Sequence, residues 1–186
     1  MRDRQQLRQD IIRFHVVAHS DAPQDQAVKL KVRDAVLESI QMDLRNVADV
    51  EMAKVYLQAN LPKIRDIADK TLEAAGFSER TEVSLCEEAF DTRVYDTFTL
   101  PAGIYEALRI IIGEGEGHNW WCVTFPSLCL PATSDSFQDM ATGAGFSEDL
   151  TQTLADCEQY KIRFFALDTL GRLENILHRG KSYPVF

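Results

Sequence analysis

Long apolar runs and clusters of positive charge are both missing from this 186-residue sequence. No stretch approaches the roughly 20 apolar residues that a helix needs to span a bilayer. The polar start, residues 1–6, has no apolar core of the kind found in signal peptides. Lys and Arg number 20 against 29 Asp and Glu, which gives a net charge of −9, and the basic residues are scattered. Because phosphate backbones and anionic lipids attract clustered positive charge, we expect neither as a partner.

Sequence motifs of common catalytic and metal sites are missing as well. The chain has no CxxC, HExxH, GxSxG or Walker sequence. His15 and His19 alternate on a predicted strand, but two ligands do not complete a zinc site, so we predict no metal and no cofactor. Cys122 follows His118 by four residues, which on a strand would separate them by about 13 Å, too far for proton transfer. We therefore predict no catalytic residues and no enzyme activity.

The most distinctive segment is the glycine-rich run GEGEGHNWWC, residues 113–122. Each glycine is unfavourable in a helix by roughly 1 kcal/mol, so the run is predicted to be a tight loop, a hairpin turn between two strands. The third glycine suggests that another group approaches the loop backbone closely. Glu114 and Glu116 would repel a pyrophosphate, which argues against a dinucleotide loop. Adjacent strand residues point to opposite faces, so one of Trp120 and Trp121 is expected in the core and the other elsewhere.

Apolar spacing predicts one strand and then two helical regions in the first half of the chain. Residues 11–18 are β-rich and too short for a packed helix. A helical apolar stripe runs over residues 23 to about 46. A second helical region begins at Asp49 as its N-cap and ends at Gly76, and Pro62 is expected to kink it or split it in two.

The second half is predicted to be mostly strand, which with the early helices indicates an α+β fold. The predicted elements are a hairpin of 81–89 and 92–100, a helical turn at 104–107, strands at 109–112 and 120–125, an irregular segment at 134–145, a short helix capped by Ser147, a strand at 161–167 and a C-terminal helix ended by Gly180. We predict a single domain over residues 11–180, with a mixed or antiparallel sheet of about five or six strands and helices packed against it. A polar segment at 1–10 precedes this domain and a tail at 181–186 follows it.

The four cysteines allow two disulfides and require none. Cys122 and Cys129 flank Pro126, and a bridge across this short loop is sterically allowed. In a reducing compartment both would instead be thiols in the interior. Cys157 lies on a predicted helix stripe and is expected to pack in the core, whereas for Cys86 the sequence favours neither state.

Three strings resemble the stage II sporulation protein R family of endospore-forming bacteria. They are IRFHVVAHSDAPQDQAVKLKVRDAVL at 12–37, LPAGIYEALR at 100–109 and GEGEGHNWWCVTFPSLC at 113–129. The likeness extends over residues 12 to 177. The family usually has Ser where Ala22 stands and Asn where His19 stands. Ala22 cannot form the capping box that Ser would make, which should cost about 1 kcal/mol.

The resemblance implies an activator without catalytic residues. Family members are exported from the forespore into the space between two membranes. There they trigger a membrane-embedded aspartic protease of the mother cell, which cuts the precursor of sporulation sigma factor E. The resemblance therefore implies that protease as the partner and an extracytoplasmic location, although family members usually begin with an apolar export segment and residues 1–10 contain none.

We hypothesise that the glycine-rich segment contacts the protease, with one tryptophan in the core. Tryptophan is enriched at interface hot spots. The candidate contact residues are Glu114, Glu116, His118, Asn119, Trp120 and Trp121. The simpler interpretation is that both tryptophans are buried and only hold the fold. Two other function classes stay open: a hydrolase acting through Cys122 or Cys129, and a carbohydrate-binding module that stacks sugars on an exposed tryptophan.

Overall fold

The computed structural model describes residues 10–94 and 99–125. In chain order the elements are β1 (Ile12–Val17), α1 (Pro23–Leu44), α2 (Val50–Ala74), β2 (Thr81–Phe90), β3 (Arg93–Val94), β4 (Thr99–Leu100), β5 (Gly103–Ile112) and β6 (Asn119–Phe125). Two long helices with a sheet confirm the predicted α+β class. The predictions for residues 126–186 lie outside the described part of the chain.

Both helices have the boundaries that the sequence predicts. Pro23 opens α1 directly after Ala22, which makes no side-chain cap, as expected. The N-cap of α2 is Asp49, whose side chain accepts a 2.8 Å hydrogen bond from the Met52 amide. Gly76 ends this helix with a φ of 83°, the left-handed conformation that glycine adopts most easily. Pro62 lies inside α2, so the predicted split into two helices is wrong. The predicted kink stays a prediction.

Four strands form one sheet in the order β2–β5–β1–β6, and β3 pairs with β4 in a separate antiparallel ribbon. The predicted total of about five or six strands is therefore divided between two sheets. The predicted hairpin of 81–89 and 92–100 is wrong, because β2 lies beside β5. The predicted helical turn at 104–107 is also wrong, because these residues belong to β5, where inward-facing and half-buried residues largely alternate.

The glycine-rich loop does not connect neighbouring strands. Residues 113–118, here called the crossover loop, join β5 to β6, and β1 lies between these two strands. β6 runs antiparallel to β1 and begins where Asn119 lies opposite Val17. The loop amides bond to Ala18 and His19, just beyond β1. β5 must therefore end at the same edge as β1, which makes these two strands parallel and the sheet mixed. The hairpin prediction for this loop is wrong.

Both helices pack on one face of the sheet. Strand residues that point to this face alternate with residues of the opposite face, as in Phe14 and Val16 of β1. The core joins them to the inner stripes of the helices, and its members include Ile12, Phe14, Val16, Val28, Val32, Val36, Ile40, Leu57, Ile64, Leu72, Leu108, Ile110 and Phe125. Every residue of β1 is buried, so this central strand is covered on both faces.

Backbone contacts divide the chain into two compact units. One consists of Ile11–Cys86 and Ala107–Cys129, and it contains the core, both helices and the crossover loop. The described part of the other includes residues 87–94 and 99–106, in which the rings of Phe90 and Tyr105 meet edge to face at 6.1 Å. The single domain over 11–180 stays a prediction. Among the described residues, no helix is long and apolar enough to cross a membrane.

Candidate functional site

The crossover loop is fixed to the chain segment that follows β1. The amide of Gly117 donates to the carbonyl of Ala18 at 3.0 Å, and that of Glu116 to the carbonyl of His19 at 3.1 Å. The amide of Glu114 donates to Nδ1 of the His19 ring, also at 3.1 Å. Three hydrogen bonds from backbone amides therefore hold a loop whose carboxylate side chains are exposed.

Close packing explains the three glycines of the loop. Gly113 and Gly115 have φ values of 55° and 66°, which side chains other than glycine rarely adopt. A Cβ added at Gly117 would lie 2.2 Å from the carbonyl oxygen of Ser20, and one at Gly113 would lie 2.3 Å from Nδ1 of His19. The expectation that another group approaches the loop backbone is confirmed, and that group is the chain's own segment after β1.

Two charged residues near the start of α1 hold the far end of the loop. Oδ1 of Asp21 accepts the His118 amide at 2.6 Å, and the same oxygen contacts the imidazole Nδ1 of His118. Nζ of Lys29 donates to the carbonyl of His118 at 2.8 Å and to Oε1 of Gln26 at 2.6 Å. Lys29 is only 5% exposed, so its ammonium group lies inside the protein on these partners. We call Asp21, Lys29 and His118 the loop clamp.

Burial and charge shift two pKa values in the loop clamp. The hydrogen bonds from His118 hold the pKa of Asp21 below its ordinary value, so this carboxylate stays ionised. Burial lowers the pKa of Lys29, and the nearby Asp21 charge opposes that shift. The clamp therefore combines an exposed carboxylate, that of Asp21, with the side chain of a buried lysine.

Ser20 links the segment after β1 to the first turn of α1. Its hydroxyl donates to Oδ2 of the buried Asp25 at 2.5 Å and accepts the Ala22 amide at 3.1 Å. The side chain of Gln26 donates to the carbonyl of Ser20 at 2.9 Å. This local network fixes the same segment on which the crossover loop rests, so the loop and the start of α1 share one support.

The two tryptophans lie on opposite faces of the sheet, as the strand geometry predicts. Trp120 packs against the core, edge to face with Phe14 at 6.0 Å, and the Arg33 guanidinium lies 4.8 Å from its ring centre. Trp121 stacks on the imidazole of the buried His15 at 5.5 Å. Both are half-buried, and each already packs against another ring, so a sugar-stacking role gains no support from them.

The six predicted contact residues do not share one surface. Glu114, Glu116 and His118 are exposed on the crossover loop, and Asn119 is half-buried where β6 begins. Trp120 and Trp121 point to opposite faces of β6 and cannot both accompany the loop. The exposed acidic loop is thus the part of the predicted site that remains accessible to a partner.

Asp21 and Lys29 were not predicted as site residues. A sequence signal existed for Lys29, since it falls on the inner face of α1 between Val28 and Val32 and interrupts the apolar stripe. A lysine there requires buried oxygen partners. One of those partners, Gln26, lies on the same helix, whereas the other, the carbonyl of His118, comes from the distant crossover loop and is revealed only by the fold.

Cys122 lies on the helix-facing side of β6, opposite Phe14, and is 7% exposed. The ring of His118 instead contacts Asp21 at the surface, so Cys122 and His118 do not form a pair of nucleophile and base. Cys129 lies outside the described residues, and a Cys122–Cys129 disulfide stays a prediction. Within the described residues, no three or more His, Cys, Asp or Glu side chains are placed to hold a metal ion.

Comparison with known proteins identifies relatives of this chain. The family model for stage II sporulation protein R matches residues 8–135. The stage II sporulation protein R of Bacillus subtilis (strain 168) is 37% identical over 137 residues, which cover 74% of this chain and 58% of that relative. The chain thus matches little more than half of the curated relative's length. No solved structure matches it.

Proposed function

Because the chain belongs to the stage II sporulation protein R family, we propose that it is a signalling protein of endospore formation. It activates a membrane-embedded aspartic protease by direct contact, and this protease then processes the precursor of sporulation sigma factor E. The chain performs no turnover of its own and acts through the surface that it presents. The observation that carries this proposal is the family match over residues 8–135, a region that includes both helices, the central strand and the crossover loop.

The crossover loop is the contact surface that the geometry favours. Glu114 and Glu116 are exposed, while their backbone amides are fixed on His19. A loop held in one conformation loses little entropy on binding, which favours affinity. Carboxylates at the edge of a contact also steer a basic partner and exclude an acidic one. We therefore expect a positively charged segment of the protease to meet this loop.

A capture experiment with charge-neutral variants tests this contact. The purified chain is immobilised and mixed with the detergent-solubilised protease, and cleavage of the sigma factor precursor is measured in parallel. The double variant Glu114→Gln/Glu116→Gln should lower capture about tenfold, which corresponds to about 1.4 kcal/mol. The matched control is Glu38→Gln/Glu51→Gln, which removes the same charge from exposed helix positions and should bind normally.

Three outcomes would count against the proposal. Equal capture and cleavage by the loop variant and the unchanged chain would exclude the crossover loop as the contact. An equal loss with the helix control would show that net charge alone governs binding. Precursor cleavage that does not depend on the added chain at all would exclude the activator function itself.

We also propose that the chain works outside the cytoplasm, between the forespore and mother-cell membranes, with Cys122 and Cys129 joined. An oxidising compartment favours such a bridge. Chain isolated from sporulating cells should be denatured, treated with a thiol-blocking reagent without reductant and digested. A linked pair of peptides containing Cys122 and Cys129 is expected, and blocking of both thiols would contradict this pairing.

A further inference from the structure

The loop clamp joins parts of the chain that are far apart in sequence. Lys29 and His118 are 89 residues apart, and Asp21 and His118 are 97 residues apart. Both contacts converge on the last residue of the crossover loop, one on its carbonyl and the other on its amide and ring. The loop is therefore fixed from the α1 side as well as from the segment after β1.

Lys29 is buried where a lysine is costly. Its side chain is 5% exposed, and an ammonium group in the interior requires compensating hydrogen bonds. Two oxygens, Oε1 of Gln26 and the carbonyl of His118, supply them. At this depth Lys29 offers almost no surface to a partner, so any effect that it has on binding must act through the loop.

The two acidic side chains of the loop are exposed, in contrast to the buried Lys29. Glu114 and Glu116 are exposed, and in the described part of the chain no hydrogen bond or ion pair holds their carboxylates. Only their backbone is fixed. The loop therefore combines an immobile main chain with carboxylates that are open to a ligand, which is the arrangement that preorganised recognition requires.

We propose that Asp21, Lys29 and His118 are positioning residues, which fix the crossover loop so that Glu114 and Glu116 meet the basic segment of the partner. His118, predicted from the sequence as a contact residue, is thus proposed to support the contact residues instead. This inference rests on the proposed function for its partner, but the fixing of the loop can be measured without one.

Amide hydrogen exchange of the isolated chain tests the fixing. Lys29→Met removes the donor while retaining an unbranched side chain, and Asp21→Asn removes the exposed carboxylate and tests the clamp even if the lysine variant folds poorly. Each should raise exchange at Gly117 and His118 at least tenfold. Asp49→Ala, which removes the cap at the far end of the helix pair, should leave loop exchange unchanged. Unchanged loop exchange in both clamp variants overturns the proposal.

A double-mutant cycle then tests what the fixing does. Lys29→Met should weaken protease capture about tenfold although Lys29 is buried, and combining it with Glu114→Gln/Glu116→Gln should weaken capture little further. Additive losses would show that the clamp does not act through the carboxylates and would overturn the positioning role. If the Glu variants bind normally while the clamp variants still free the loop, the proposed contact fails and the fixing stands.

Discussion

The helix pair is held in different ways at its two ends. At one end the crossover loop is joined to the segment after β1 and to the start of α1 by hydrogen bonds between residues 89 to 99 positions apart. At the other end, the turn at residues 45–49, the bonds are local: Asp49 caps α2, and the hydroxyl of Tyr56 donates to Asp43, 13 positions away, at 2.5 Å. The first end can form only when the sheet is complete, whereas the second follows from nearby sequence.

The surfaces of the two ends differ as well. Both ends expose carboxylates, but the end at the 45–49 turn also exposes apolar side chains: Met42 at 68%, Met52 at 54% and Val55 at 71%. Burial, together with the hydrogen bond to Asp43, raises the pKa of Tyr56 to about 12. The end held by distant contacts therefore lacks the exposed methionines and valine of the other end, and four substitutions can test this comparison.

The largest effect is expected from Gly117→Ala at the crossover end. A Cβ there would lie 2.2 Å from a backbone oxygen that cannot move away, and the clash should destabilise the fold by about 3 kcal/mol. Gly76→Ala is the control, because no atom lies within 4 Å of its added Cβ and only the positive φ opposes it, at about 1 kcal/mol. Urea unfolding measures both, and equal losses would show that the crossover loop is not closely packed.

A smaller effect is expected from Asp49→Ala at the turn end. Loss of this N-cap should cost about 1 kcal/mol in urea unfolding. Asp66→Ala is the matched control, since Asp66 forms an exposed pair with Lys70 within α2, and solvent screens such a pair so that its loss should matter less than loss of the cap. A loss from Asp49→Ala no larger than that from the control would mean that local capping does not hold this end.

Lowering the pH tests the contribution of Asp21, which holds the crossover loop. The pKa of Asp21 is lowered in the folded chain, so its stabilising contribution is complete above the unfolded value near 3.8 and is lost as the pH falls through the folded value. Asp21→Asn should therefore make stability fall less steeply with decreasing pH below about pH 4. Thermal unfolding of both chains at several pH values measures this difference. An acid limb as steep as that of the unchanged chain would show that the Asp21–His118 pair adds no stability.

The smallest effect is expected at the exposed apolar surface of the turn end. Val55→Gln should change the free energy of unfolding by less than about 0.5 kcal/mol, because Val55 is 71% exposed and contributes little to the core. Thermal unfolding measures this change. For comparison, Leu57→Ala at a buried position should lower the free energy of unfolding by about 3 kcal/mol. A large loss at Val55 would reveal packing that its exposure does not suggest.

The sequence predicts what depends on near neighbours. Both helices, the Asp49 cap and the Gly76 terminus follow from apolar spacing and capping chemistry, and the alternation within a strand separates Trp120 from Trp121. The hairpin prediction for the crossover loop is wrong because β1 lies between β5 and β6. No local sequence pattern near the loop indicates that a distant strand pairs there. The loop clamp was missed for the same reason, since Lys29 finds its oxygen at His118.

The central position of β1 has a consequence for biosynthesis. This strand is synthesised before both strands that flank it in the sheet, β5 and β6. Until they are made, the strand Ile12–Val17 lacks both of its neighbours in the sheet and can pair with other chains. Because pairing between distant segments is slow, we expect this strand to be enclosed late in folding.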